Sequence, residues 1–468
     1  MPLSLDRFSS LPIELLLTIL SLLPFKEAVR TFVLSKKWLD MKIYKSLRNI
    51  EFNEFFFVKL DRSDETREAQ RKAFLEFIKI WIENHEGTLM DKFSLRLSTP
   101  ANVAQIVYQC VVFATQHKVK DLELDFVDAD QYENDDGYFD NYEAKFELPK
   151  QVYEHQILES LKLYACSFIE TEIVNFHSLK EISLGWMEVS ISAIKTLLLN
   201  CEKLQSLSFK RCWNSEKFDL GEEEIMALTK LVLNECRFEI DCFKVNAPNL
   251  KIFKYSGWMN FCTTKIHSLA MEEGELDFSH EYLFEGFGDP LYNLVKELRT
   301  VRVLTVCSFV LQVIPTGEEQ EGMQCEMEVR HLIMKTGLHE DEFIGVAFFL
   351  NSCPMLECLT IELGSKNDLM DYEAPFNFNG MQFWIEKLGR CKCLRSSLKV
   401  VEINGFVGSM NERLMLKYLI CRGFALKRIA INMLKDESGR TMDPHCRQIA
   451  QTLLSVPRAS TNLDILIF

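Results

Sequence analysis

The chain reads as an α/β protein. A small three-helix N-terminal unit comes first, then an irregular repeat solenoid with a curved parallel sheet, then a closing segment built on the same logic. Three observations predict this. A leucine pattern recurs through the middle of the chain at steps of 21 to 25 residues. An almost wholly apolar run, Leu15 to Leu23, sits between Pro12 and Pro24. Across 468 residues, 47% are hydrophobic and 26% charged, which is globular usage with ample material for a core. That balance excludes a disordered chain, and only 19 Gly and 12 Pro exclude a collagen-like or linker-dominated one. At about 150 residues per domain, the length fits about three domains or one long array.

Charge narrows the function. Lys and Arg number 53 against 68 Asp and Glu, a net of -15. Nucleic-acid binding relies on basic patches that displace counterions from phosphates, so neither nucleic acid nor an anionic membrane is an expected partner. The 15 Cys are scattered below the density of a disulfide scaffold, and no Asn-x-Ser/Thr acceptor occurs. The stretch from Leu15 to Phe25 is too short to span a bilayer, and it lacks a basic lead and a cleavage site. A soluble protein of the cytoplasm or nucleus is expected.

The first element is a helix opened by Pro12, whose missing N–H costs nothing there. Glu14 suits the positive end of the helix dipole, and Pro24 stops the run. A helix apolar almost all round cannot be surrounded by so small a unit, so part of its surface should meet another protein. Lys26 to Leu34 reads as a second amphipathic helix, and Ser35 caps a third through Trp38. The order Leu11-Pro12-x-Glu14-Leu15, Ile19-Leu20, Leu23-Pro24, Ala28-Val29, Leu34-Ser35-Lys36-Lys37-Trp38 resembles the F-box. The resemblance implies a clamp for a Skp-type adaptor, and through it a cullin scaffold and a RING subunit. It implies adaptor contacts among Leu11, Pro12, Leu16, Ile19, Leu20, Leu23, Pro24 and Trp38. Ile13 stands where plant F-boxes commonly carry an acid, and Lys42 where a second Trp is common.

Phe55 to His85 follows, with Phe74, Phe77, Ile78, Trp81 and Ile82 at helical spacing, a cap for one end of a solenoid. Then comes the repeat, Leu-x-x-Leu-x-Leu-x-x-Cys. Leu158, Leu161, Leu163 and Cys166 fit it, as do Leu204, Leu207, Phe209 and Cys212, and Leu228, Leu231, Leu233 and Cys236. The copies starting at Leu179 and Leu250 fit with substitutions. These periods are those of leucine-rich repeats, where the Leu-x-Leu pair is a strand turning alternate residues inward. Cys sits at the bend as a small buried side chain. Weaker copies are Met90-Phe93-Leu95 and Val119-Leu122-Leu124 before the block, and Leu298-Val301-Val303, Leu356-Leu359-Ile361, Leu398-Val401-Ile403 and Leu426-Ile429-Ile431 after it. Ile191 to Asn200 suits a helix on the convex side.

Two acidic insertions lengthen the repeats, near 125–147 and 316–328. Neither reads as a calcium loop: in the first, Tyr132 takes a ligand position and Glu133 the position of the required Gly. Near the end, Leu398 to Gly408 opens a strand and turn, Glu412 to Cys421 is a helix, Leu426 to Ile431 a strand, Ile449 to Leu454 a helix and Leu463 to Phe468 a strand. With Val401-Glu402-Ile403-x-Gly405-Phe406 and Pro457-Arg458-Ala459-Ser460, this order resembles the FBD domain of plant F-box proteins. The whole then resembles the plant F-box/FBD/LRR-repeat family, with an F-box over 1–50, an irregular solenoid over 51–390 and an FBD domain over 391–468.

Catalytic patterns are missing from the sequence. Gly286-Phe287-Gly288 is followed by Asp289-Pro290 and opens no phosphate-binding helix, and no Gly-x-Ser-x-Gly or His-Glu-x-x-His run occurs. Cys391-Lys392-Cys393, and Cys353 with Cys358, lack a second pair at zinc spacing. No cofactor and no metal are expected. The resemblance implies a non-catalytic substrate-recognition subunit of a cullin–RING ubiquitin ligase. The rivals are a repeat-based binding protein with a vestigial F-box and an enzyme whose site is assembled only in three dimensions. Target contacts are expected where strand residues face outward. Tyr164, Trp186 and Arg211 are the anchors, and Lys210, Arg211 and Lys254 form a basic strip suited to an acidic or phosphorylated peptide.

Overall fold

The computed structural model describes residues 11–32, 43–59, 61–128, 146–167, 176–221, 223–259, 263–279, 281, 286–314, 325–364, 383–384, 391–435 and 444–468. The chain divides into two compact units, Met1–Glu216 and Lys217–Phe468. Trp38, most of the first acidic insertion and the start of the second lie outside the described residues.

The first unit opens with helices α1 (Ile13–Ser21) and α2 (Phe25–Thr31), preceded by Pro12 and Pro24. Six strands follow: β1 (Asn49–Asn53), β2 (Lys92–Arg96), β3 (Asp121–Asp125), β4 (Ser160–Tyr164), β5 (Glu181–Gly185) and β6 (Ser206–Lys210). Each pairs with the next in parallel. In a strand, alternate side chains share a face, so one register stacks every inward leucine on the next. Leu122, Leu161, Ile182 and Leu207 form one such row, and Leu124, Leu163, Leu184 and Phe209 the next. All eight are essentially fully buried.

Helices cover the sheet between strands. The predicted cap is the helix Asp64–Asn84, which buries Phe74, Ile78 and Trp81. Trp81 meets Phe25 of α2 edge-on at 5.1 Å, tying the N-terminal helices to this helix. At its end His85 packs edge-on against Phe113 of the helix Ala104–Gln116, at 5.3 Å, and against His117 at 5.1 Å. Ile191–Asn200 is helical as expected, N-capped by Ser190, whose hydroxyl accepts from the Ala193 N–H.

The second unit carries β8 (Lys230–Asn234), β10 (Ile252–Ser256), β12 (Glu273–Asp277), β13 (Val303–Cys307), β14 (His331–Thr336), β15 (Cys358–Leu363), β16 (Val400–Phe406), β17 (Arg428–Met433) and β18 (Asp464–Ile467). They pair in that order, all parallel. A second, three-stranded sheet consists of β7 (Trp213–Leu220), β9 (Arg237–Asn246) and β11 (Thr263–His267), in the order β11–β9–β7. Its core is aromatic: Phe218 stacks on Phe238 at 4.8 Å and on Phe243 at 5.7 Å.

Several expectations need correction. The copy read as Leu298-Val301-Val303 is shifted by three residues. The strand is β13, and Leu304 and Val306 continue the rows of Gly274 and Leu276. Strands β1, β12 and β14 and the whole second sheet escaped the pattern. β12 did so because Gly274 stands where a repeat has leucine. A Cβ built there would lie 3.2 Å from Leu298 and 3.4 Å from Leu304, so these leucines already fill the space. Beyond residue 391, β16 to β18 keep the parallel register of the repeats.

Two predictions follow from this packing. Restoring the repeat residue, Gly274→Leu, should destabilise the protein by about 1–3 kcal/mol through overpacking, read as a lower urea midpoint. The second concerns pH. Burial, with His117 adding to it, lowers the pKa of His85 from 6.5 to about 4. Between those values the unfolded chain binds a proton that the folded chain does not. Stability should therefore fall as pH drops from about 6.5 towards 4, and His85→Phe should flatten that dependence in thermal unfolding measured across the window.

Candidate functional site

Two surfaces matter: the face of the sheet opposite the leucines, and the N-terminal helix pair. The first is set by how each strand ends. Ala165, Trp186, Arg211, Glu235 and Gly257 occupy the same place in five successive repeats, and all have positive φ, from 49° to 57° for the four non-glycines and 120° for Gly257. That conformation is uncommon outside glycine and costs on the order of 1–3 kcal/mol. The N–H of the corner residue itself reaches the following repeat: Ala165 donates to the Gly185 carbonyl at 2.9 Å, Trp186 to Lys210 at 3.0 Å and Glu235 to Ser256 at 2.8 Å. Cysteine then closes the bend. The Cys166, Cys212 and Cys236 thiols lie 3.5, 3.7 and 3.4 Å from the carbonyl oxygens of Tyr164, Lys210 and Asn234, each two residues back. A small side chain that tolerates burial and offers a weak donor fits this place.

The corners overturn part of the expected target surface. Trp186 and Arg211 are not on the strand face. They sit in the left-handed corner, 2% and 8% exposed, because the residue after the strand turns inward. The structure does gather four of the five expected target contacts into one cluster. The Trp186 ring takes Lys210 Nζ at 4.8 Å and the Arg211 guanidinium at 5.9 Å. Tyr164 meets it edge-on at 5.9 Å, with its hydroxyl 3.1 Å from Ser183 Oγ. Tyr164 lies over Gly185, where a Cβ would come within 2.4 Å of its ring. Burial pushes the Tyr164 pKa up. Tyr164 and Lys210 stay half-buried, so they alone of the four offer appreciable surface.

Lys254 is not in that cluster but in the second unit. Its Nζ is 2.6 Å from Glu273 and 3.1 Å from Glu275. Lys335 bridges Glu275 at 2.8 Å and Asp277 at 3.5 Å. Lys254 is therefore neutralised by its own sheet and adds nothing to a basic strip, which corrects that expectation. Beside it lies a polar hollow of about 280 Å³ lined by Asn234, Ser256, Glu275, Asp277 and Ser279. Among the described residues no group of three His, Cys, Asp or Glu is placed to hold a metal ion. None of the described helices is long and apolar enough to cross a membrane.

On the N-terminal surface the structure settles which side of α1 faces inward. Leu16 and Leu20, one turn apart, are buried at 0% and 2%. A side chain with no exposed area cannot touch an adaptor, so these two leave the expected contact set. Leu15 (51%), Leu22 (80%), Ile13, Ile19 and Leu23 are exposed, and so are Pro12 and Pro24. Leu11 is half-buried. The i,i+4 spacing of Leu16 and Leu20 was the available signal for the inward stripe, but an apolar residue at almost every position hid it. Phe56 and Phe57, also exposed, were missed as surface residues.

Comparison with known proteins decides what these parts are. The family model described as At1g61320/AtMIF1, LRR domain, matches residues 81–466, and that described as F-box domain matches residues 8–41. Putative F-box/LRR-repeat protein At1g56400 of Arabidopsis thaliana is 32% identical over 428 residues, covering 89% of this chain and 86% of that protein. The chain belongs to the F-box/LRR-repeat family. Putative F-box/LRR-repeat protein At5g54820 of the same plant is 31% identical over 442 residues, 91% of each chain. A third relative, FBD-associated F-box protein At1g66310, is 24% identical over 482 residues, 99% of this chain and 96% of its own length. In this family setting the exposed side of α1 lies within the F-box, and the corners and strand faces within the repeats. An F-box domain implies binding of a Skp-type adaptor, and repeats of this kind imply binding of a protein target.

The bend cysteines give a direct test. Cys166, Cys212 and Cys236 are at most 5% exposed, whereas Cys421 is exposed. Burial raises the Cys166 pKa, which removes thiolate as well as access. Mass spectrometry of the folded protein after brief alkylation should find Cys421 modified and the other three modified only after denaturant is added.

Proposed function

We propose that this F-box/LRR-repeat protein is the substrate-recognition subunit of an SCF-type cullin–RING E3 ubiquitin ligase. The observation that carries the reading is the outward side of α1, an exposed apolar face inside the F-box match. Soluble proteins rarely leave such a face bare unless something covers it. In this reading a Skp-type adaptor covers it and connects the chain to the cullin and RING subunits. The repeats hold a target through the outward strand faces, with Tyr164 and Lys210 as surface anchors. The subunit does no covalent chemistry. It works by proximity, since holding two reactants together can remove about 7–11 kcal/mol of barrier in ideal cases. The reading places the protein in the cytoplasm or nucleus.

The test is capture of a purified Skp-type adaptor by the full chain. The double change Leu15→Ser/Leu22→Ser should abolish capture and leave thermal unfolding nearly unchanged, because both side chains are at least half exposed. Leu16→Ala should instead cost about 2–5 kcal/mol of local stability, as a buried truncation does. Full capture by the double variant would remove the F-box from this role and leave a repeat-based binding protein.

A further inference from the structure

The F-box match ends at residue 41, yet the exposed apolar surface beside α1 and α2 does not. Directly after β1 the chain makes a single 3-10 turn, Glu54–Phe56. Phe57 leans inward on Phe74 at 4.7 Å and Phe77 at 5.6 Å, but remains 40% exposed. Phe56 is 47% exposed, and its ring centroid lies 4.9 Å from Lys26 Nζ. Lys26 stands in the first turn of α2, directly after the exposed corner of Leu22, Leu23 and Pro24. Lys26 therefore links Phe56 to the start of the second F-box helix, two residues past Pro24 of that corner.

The turn is also held rigidly. Asn53 Oδ1 accepts the Phe55 N–H at 3.1 Å. The Glu54 carboxylate, 3% exposed, accepts the Ser98 N–H at 2.7 Å and its hydroxyl at 2.9 Å, and lies 3.4 Å from Arg71 Nε. Phe57 and Val58 donate back to the Glu54 carbonyl at 2.9 and 2.8 Å. Binding energy concentrates in large aromatic side chains whose ordering cost is already met by the fold. A half-exposed phenylalanine on a turn fixed by a buried carboxylate meets both conditions.

We infer that the adaptor interface extends beyond the F-box onto this turn, with Phe56 inserted into an apolar pocket of the Skp-type adaptor and Lys26 at its rim. The inference rests on the adaptor reading of α1. It is tested by calorimetric titration of purified adaptor into the full chain, comparing the unmutated protein with Phe56→Ser, Lys26→Glu and Leu15→Ser/Leu22→Ser. Phe56→Ser should raise the Kd at least about tenfold, and Lys26→Glu by a smaller factor. Thermal unfolding confirms that each variant is folded, and Phe56→Leu, which keeps the apolar volume, should recover most of the affinity. A Kd within about twofold of the unmutated value for both Phe56→Ser and Lys26→Glu, with binding lost in the double leucine variant, overturns the extension and leaves the F-box reading standing. No binding by the unmutated chain overturns both. Loss of target capture with an unchanged adaptor Kd also overturns it, by assigning the turn to the target surface.

Discussion

A repeat of 21 to 25 residues can bury its leucines only against its neighbours, so the chain must turn sharply at the end of every strand and return one step further along. After β4, β5, β6, β8 and β10 that turn is a left-handed residue, and in four of the five its N–H reaches the last carbonyl of the next strand of the sheet. The conformation costs on the order of 1–3 kcal/mol and the hydrogen bond returns about 0.5–1.5 kcal/mol. The remainder is offset by what the turn permits. It holds the strands in one register, so that Leu161, Ile182 and Leu207 stack without a gap. Each fully buried large apolar side chain is worth about 1.5–3 kcal/mol, and each of β4, β5, β6, β8 and β10 contributes two.

The same constraint decides what is left for recognition. With alternate residues committed to the ladder, the outward residues of a strand face only their in-register neighbours, and many pair across strands. Lys92 with Glu123 and Arg96 with Asp125 in the first unit, like Lys254 with Glu275 in the second, are such cross-strand pairs. Half-exposed pairs of this kind add little stability, but they set the local potential of the face near neutrality. The outward repeat positions of Lys210, Arg211 and Lys254 suggested a basic strip on an acidic protein. The pairing shows instead that a lysine on this face is available to a partner only where no carboxylate stands on the adjoining strand. α1 follows the opposite rule. It is a single helix with apolar residues on both sides, and only Leu16 and Leu20 are taken up internally.

Much of this was legible in the sequence, and the failures have physical causes. The five repeats from Leu158 to Leu250, and the weaker copies on β2, β3, β15, β16 and β17, were visible because their inward positions keep leucine or a near substitute. β12 was invisible because Leu298 and Leu304 supply the volume that Gly274 lacks, so the pattern is satisfied in space and broken in sequence. The copy at Val301 was misplaced because Leu298, Val301 and Leu304 are equally apolar and equally spaced, and only pairing with β12 chooses among the registers. Trp186 and Arg211 were misread for a different reason. A side chain's direction at the strand's end depends on the sign of φ, and large residues in the left-handed region are unexpected from residue type. The inward side of α1 needed the packing of the neighbouring elements, which a run of leucines does not encode.

The buried acids complete the account of how loops are held between repeats. Glu54, Glu342 and Glu412 are 3%, 0% and 4% exposed, and each stands where a strand gives way to a helix or turn. Glu342 accepts from the Ser308 and Thr336 hydroxyls and from the His339 N–H at 3.1 Å, while Glu412 accepts from the Val407 and Gly408 N–H groups at 3.0 and 2.8 Å. A buried carboxylate is costly unless its lone pairs are taken up, and charge-assisted bonds are the strong ones. For Glu342 burial outweighs those bonds and raises the pKa, so the site holds the group at some expense to its charge. In sequence each is one more acid in an acidic protein. In the fold their acceptor sites are occupied by the chain's own donors, which makes them fasteners of loops. Of these three, the turn held by Glu54 carries Phe56 into solvent beside Lys26 of α2, where rigidity serves recognition.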